Sequence, residues 1–305
     1  MDNLRERMEA LEQQMRAMGA HTRTVERRLR WWRGFACGVV LLGLVSLPLQ
    51  SGTAADNQPA GMGERMAALE KKLSAMRFDD AANEVVITGA NLRIVNGLGE
   101  TTTTNGLGNL IVGYNELLND HRRPDVRTGS HNVVVGRLNN FSSFGGLVVG
   151  SLNEISGVFA SVSGGEHNAA SGDNSSVSGG LNNTASGLLS SVSGGQSNQA
   201  IGTVSSVSGG EFNRAFGIGA SVSGGFSNTA SGDSSSVSGG VTNTASGDTS
   251  SVSGGQTSTA SGRVSSVSGG EFNTASGDFS SVSGGTNRSA PGTENWAAGA
   301  LFSDH

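Results

Sequence analysis

The chain has 305 residues, 48 of them Gly, with 5% aromatic and 15% charged residues and a single Cys. This composition excludes an ordinary globular core and any disulfide within the chain. The net charge of −5 hides an asymmetry: residues 1–33 hold eight Arg against five acids, so the remainder carries −8, which argues against a nucleic-acid surface there.

In chain order, Leu4, Met8, Leu11, Met15, Met18, Val25, Leu29 and Trp32 recur at alternating spacings of four and three. The pattern predicts a coiled-coil helix over 1–30, with an amphipathic helix on the membrane surface as the alternative. Phe35 to Leu49 is the one long apolar run, and with Trp31, Trp32 and Arg33 it predicts a transmembrane helix over 31–49. Arg23, Arg27, Arg28, Arg30 and Arg33 precede it and nothing basic follows before Arg65, so the N-terminus is expected in the cytoplasm and the repeats outside. The rival expectation is a cleaved signal peptide ending near Ala55, after Thr53-Ala54-Ala55, and a secreted product. Cys37 lies inside the apolar run and reads as a small apolar residue of a helix.

Residues 50–60 read as a polar linker, and Met62, Met66, Leu69, Leu73 and Met76 as a short coiled-coil stalk over 61–77. Over 78–118 the period switches to two at Val85, Ile87, Leu92 and Ile94, with breaks at Gly89 and Gly97, predicting the first β coils and an N-terminal cap. Residues 119–131 form a charged insertion. Its His121, Arg122, Arg123, Asp125 and Arg127 are the candidate contact site, weighed against a plain solvated loop. The span 132–295 reads as β-roll repeats and 296–305, with Trp296, Leu301 and Phe302, as a cap over the open end.

From Ser161 to Asn295 one fifteen-residue unit, S-V-S-G-G-x-x-N-x-A-S-G-x-x-S, is written nine times. Fifteen residues are too few for a helical hairpin, but two short strands and two turns fit them. Place two is always Val (Val162, Val177, Val192, Val207, Val222, Val237, Val252, Val267, Val282) and place ten always Ala (Ala170, Ala185, Ala200, Ala215, Ala230, Ala245, Ala260, Ala275, Ala290). These are the expected inward side chains. Gly at places four, five and twelve is expected to reverse the chain through positive φ. Place eight is Asn168, Asn183, Asn198, Asn213, Asn228, Asn243 and Asn273, with Ser258 and Arg288 in the other two copies, and predicts an amide ladder along the stack. One Val and one Ala per coil make a thin core, so neighbouring chains are expected to add burial.

The unit S-V-S-G-G-x-x-N-x-A-S-G-D-x-S resembles the head repeat of trimeric autotransporter adhesins. Asn109-Leu110-Ile111-Val112-Gly113, Asn132-Val133-Val134-Val135-Gly136 and Gly146-Leu147-Val148-Val149-Gly150 match it further through an apolar fourth residue. The resemblance covers 109–295 and implies a parallel β-roll, a homotrimer and host adhesion. The repeat is one residue longer here, and the family's C-terminal membrane barrel is not expected from this sequence.

Catalysis needs acids, bases or nucleophiles converging in one place, and the five His are scattered. A His121/His131 metal pair has no Cys and no fixed spacing behind it, and Asp173, Asp233, Asp248 and Asp278 do not make a calcium-binding roll. No enzyme activity, cofactor or metal is expected. The fold class read from the sequence is mainly β, a parallel β-roll or β-solenoid of 15-residue coils preceded by a coiled-coil helix, one transmembrane helix and a short stalk. The expected function is a membrane-anchored surface protein displaying an oligomeric β-roll as a spacer or adhesin-like module. The alternative is an ice- or polysaccharide-binding solenoid, motivated by the Ser-Val-Ser rows.

Overall fold

The computed structural model describes residues 61–118 and 124–299. The expected helix 1–30, membrane span 31–49 and linker 50–60 lie outside the described residues, as do Leu301 and Phe302. Among the described residues no helix is long and apolar enough to cross a membrane.

Helix α1 (Met62–Leu73) begins where the Glu64 carboxylate accepts the Gly61 N–H at 3.2 Å, and it carries Lys71 and Lys72 in its last turn, where the helix dipole favours cations. It buries nothing: Met62, Met66, Leu69 and Leu73 all face solvent. The heptad spacing extends to Met76, but the helix stops before it. Met76 instead opens strand β1 (Met76–Asp79), which pairs antiparallel with β2 (Glu84–Ile87) in the register Met76↔Ile87. The turn between them holds Asn83 at φ 54°, a conformation its short polar side chain tolerates. Leu92 and Ile94, expected to begin the next strand, form none.

Gly89 onward is a separate unit, a parallel β-solenoid. Its first sheet has 13 strands, starting at β3 (Leu110–Val112), β4 (Val133–Arg137) and β6 (Leu147–Ser151). The second has 11, starting at β5 (Asn140–Phe141) and β7 (Glu154–Ile155). From β8 (Ser161–Val162) and β9 (Ala169–Ala170) every coil repeats the pair down to β24 (Ser281–Val282) and β25 (Ser289–Ala290), and β26 (Trp296–Ala297) ends the first sheet. Register is fixed by the period: Val162 sits beside Val177 and Ala170 beside Ala185. Place six forms a third, single-bridge ladder, Glu166 to Leu181 to Gln196 and onward.

Two kinds of coil share this stack. Leu147 pairs with Val133 and with Ser161, fourteen residues away on each side, whereas the later coils step by fifteen. Asn139 Nδ2 bonds the Val135 carbonyl as Asn168 Nδ2 bonds that of Gly164, so Val135 corresponds to Gly164 and the added residue falls at Ser163. In the early coils the second sheet points Phe141 and Ile155 inward, and Ala170 continues their column. The interior therefore narrows from aromatic to alanine along the stack.

The Val column is 0–1% exposed and the Ala column 0%. The interior is closed by one chain alone, because two further columns enter it. Asn at place eight is fully buried in all seven copies, and Ser at place fifteen (Ser175, Ser190, Ser205, Ser235, Ser250, Ser265, Ser280) is 0–1% exposed, with Ala160 and Ala220 in the same column.

The glycine expectation needs correcting. Place five does take positive φ, 80° at Gly165 and 90° at Gly180, but place twelve does not. Gly172 is required for another reason: a Cβ there would collide with the backbone carbonyl of Gly187 in the next coil. Place seven in the first reversal and place fourteen in the second also take the left-handed region, on ordinary side chains including Phe212, Val204, Val264 and Phe279, all at φ 58°. Such residues resist this conformation locally, and the inter-coil bonds hold them in it, for instance Val204 N–H to the Leu188 carbonyl at 2.8 Å.

Candidate functional site

The place-eight ladder is built differently from an amide-to-amide stack. Asn168 Oδ1 accepts the backbone N–H of Asn183 at 2.9 Å, while Asn183 Nδ2 donates to the carbonyls of Gly179 in its own coil and Gly195 in the next, both at 2.9 Å. Each Asn side chain thus satisfies three buried backbone groups, one in its own coil and two in the next. Ser258 breaks the pattern: its N–H still bonds Asn243 Oδ1 at 2.9 Å, but its hydroxyl turns to the Gln256 carbonyl at 3.3 Å and lies 3.4 Å from the Asn273 N–H. The seven buried place-fifteen hydroxyls have no hydrogen-bond partner. Sequence reasoning missed this column, since a Ser beside a variable turn carries no local sign of pointing inward.

The turn aspartates are structural. Asp173, Asp233 and Asp278 accept the N–H of Val158, Ile218 and Arg263 in the preceding coil at 2.9 Å, and Asp248 that of Asp233 at 3.2 Å. Arg263 also sits 4.9 Å from the centre of the Phe279 ring, and edge-to-face pairs Phe144–Phe159 and Phe212–Phe226 join adjacent coils at the corners. In the hairpin, Asp79 is held below its ordinary value of 3.8 by the Arg77 guanidinium and then by the Ala82 and Ala81 N–H groups.

Of the charged insertion, His121, Arg122 and Arg123 lie outside the described residues. Asp125 and Arg127 are drawn into the stack. Asp125 Oδ1 accepts the Leu118 N–H at 3.0 Å, and Arg127 donates to the Glu116 carbonyl at 2.6 Å and lies 3.7 Å from Asp125. The neighbouring backbone is paired as well, Phe141 N–H to the Val126 carbonyl at 2.9 Å and Gly106 N–H to that of Thr128 at 2.9 Å. These two residues fasten the first coils and are not held out as a contact loop.

A cleft of about 600 Å³ lies at this end of the solenoid, lined by Arg93, Ile94, Asn96, Glu100, Thr101 and His131 among others. His131 Nε2 accepts the Asn96 N–H at 3.2 Å, so the proton sits on Nδ1, which donates to the Thr101 carbonyl at 3.1 Å. Both ring nitrogens are used in fixing the loop. Among the described residues no group of three His, Cys, Asp or Glu could hold a metal ion.

Trp296, expected over the open end, pairs with Ser281 as the last strand of the first sheet. Its side chain lies on the outer face, 64% exposed, donating from Nε1 to Ser283 Oγ at 2.8 Å. What the solenoid offers a partner is therefore its outside. The outer positions of the first sheet carry Ser at places one and three, those of the second carry Thr229, Thr244, Thr259 and Thr274 with Ser231, Ser246, Ser261 and Ser276, and the corners carry the variable side chains.

The chain matches no protein-family model, and a search of curated proteins finds none similar to it.

Proposed function

We propose that the chain is a non-enzymatic surface protein, anchored by residues 31–49 with residues 1–30 in the cytoplasm, that displays its β-solenoid outside the membrane as an oligomeric spacer or adhesin-like module. The observation that carries this reading is the division of labour within each coil. Places two, five, eight, ten and twelve build the frame, while places six, seven, thirteen and fourteen vary from Asp to Phe on exposed corners. Such a frame presents different side chains at fixed intervals along one axis, which suits binding and display and leaves no enclosed site for turnover. The exposed seam of α1 supports self-association, since Met66, Leu69 and Leu73 are left exposed among the described residues. The resemblance to trimeric adhesin heads makes a homotrimer the assembly of choice.

Protease added to intact cells or spheroplasts producing the chain is expected to remove the repeats and spare residues 1–30. Protection of the repeats with loss of the N-terminal segment would reverse the topology. The Thr and Ser rows of the second sheet favour a second reading, an ice- or polysaccharide-binding face, because paired hydroxyl rows on a flat parallel sheet repeat at about 4.8 Å. Thermal hysteresis from a monomeric chain would select that reading over the first.

A further inference from the structure

Places eleven to fourteen form the corner where the second sheet returns to the first. In the first and fifth copies of the repeat this corner is polar, with Ser171, Asp173 and Asn174 in one and Ser231, Asp233 and Ser234 in the other. The three copies between them differ. The second carries Leu188 and Leu189 there, the third Ile201 and Val204, and the fourth Phe216 and Ile218, and none of the three holds a charge at these places. All six side chains are 39–58% exposed. Successive coils lie about 4.8 Å apart, so the three pairs abut as one apolar patch with a polar rim, the kind of surface that marks an interaction site.

The coil itself does not ask for these residues, since the flanking copies fold the same corner with Ser, Asp and Asn. Val204 is β-branched and held at φ 58°, a conformation that Asn174 takes far more readily at the same place. Backbone strain that serves to expose an apolar side chain points to a use outside the coil. Aromatic residues at other corners are engaged within the chain: Phe212 meets Phe226 edge to face and Arg263 covers Phe279, whereas Phe216 has no such ring contact among the described residues. An acid closes the patch at each end. The Asp173 carbonyl accepts the Leu189 N–H at 2.9 Å and Asp233 Oδ1 accepts the Ile218 N–H at 2.9 Å, so both exposed aspartates stand directly against it. From Ser151 to Gly299 the chain holds nine acids against three Arg, and the three coils of the patch add only Glu211 and Arg214.

Resting on the display reading above, we infer that this corner is a docking site for a basic amphipathic helix of a partner protein. The helix lies along the stack with its apolar face on the patch and a Lys or Arg at each end against Asp173 and Asp233. Spacing selects a helix over a strand: a helical turn rises about 5.4 Å, close to the coil step of about 4.8 Å, so one apolar side chain per turn meets one coil across all three. An extended strand repeats its side chains at about 6.7 Å and falls out of step at once. Asp173 and Asp233 are four coils apart, about 19 Å, which sets the two basic residues about 13 positions apart along the helix. The acid at either end sets the patch against an anionic membrane. A patch of roughly 500 Å² on each side gives an interface near the size of a transient complex.

The test uses the full chain in detergent, where uptake of peptide by the micelle is common to every variant. The probe is a synthetic amphipathic helix of Leu and Lys with a fluorescent label and a central benzophenone. Photoadducts are expected within the second to fourth copies of the repeat. Affinity is expected to fall about tenfold or more in the triple variant Leu189→Asn, Ile201→Ser, Phe216→Ser, whose new residues are those of Asn174, Ser171 and Ser231 at the same places. The β circular-dichroism signal is expected to persist. Asp173→Asn with Asp233→Asn is expected to weaken binding several-fold at low salt and not at high salt. Adducts elsewhere on the chain, or equal affinity in the triple variant, overturn the site while leaving the protease test of the display reading untouched. A Leu/Glu helix that binds as tightly overturns the basic partner. An oligomer of the unmodified chain that dissociates in the triple variant assigns the patch to contact between copies and overturns the partner as well. Should the triple variant lose its β signal, the Asp pair decides, and unchanged binding at low salt contradicts the inference.

Discussion

Asn at place eight shows how one side chain can hold a stack together. Its three side-chain bonds tie its own coil to the next, and each is worth about 1 kcal/mol net because water competes for the same groups in the unfolded chain. Ser258 is the natural gap, since no side chain donates to the carbonyls of Gly254 and Gly270 as Asn243 donates to those of Gly239 and Gly255. Ser258→Asn should restore two bonds and stabilise the solenoid by about 2 kcal/mol, read as a higher midpoint in chemical denaturation. An unchanged midpoint would mean that the rung carries no net energy. The inward Val and Ala were legible in the sequence because each is flanked by residues that prefer water. The buried Ser at place fifteen was not, for its orientation depends on the turn that follows Gly at place twelve and on the coil beside it.

Each coil is an element of two strands and their turns, too short to exist alone, so its geometry is set by its neighbours. Period and strand positions could be read directly from the repeat. The reason for glycine could not: at place twelve the constraint is a carbonyl of the next coil, fifteen residues away, while at place four the coil imposes none. Gly232→Ala should cost about 1–3 kcal/mol or more, because the group it strikes is the Gly247 backbone and cannot rotate aside. Gly239→Ala should leave coil stability within about 1 kcal/mol or raise it slightly, since its φ is ordinary and the space is open. Equal losses in thermal melts of the two variants would show that glycine serves the backbone conformation at both places. The same long-range dependence hid the roles of Asp125 and Arg127, whose charges suggest a solvated loop until their pairing with Leu118 and Glu116 is seen. It also ended the stalk pattern early, because Met76 belongs to a hairpin with Ile87.

Across the solenoid the interior is closed by a single chain, with Val, Asn, Ala and Ser from each coil stacked on those of the next. Neighbouring chains are thus not required to complete the core, and any assembly is left to the outer faces and the α1 seam. The frame can therefore stay constant while corners change, and coils can be added without redesign. The most direct measurement of that claim is thiol labelling in the full chain with Cys37→Ala, comparing Val237→Cys in the core column with Thr242→Cys at a corner. The structure predicts prompt maleimide reaction at position 242 and none at 237 until denaturant unfolds the stack. Equal rates at the two positions in native buffer would contradict it.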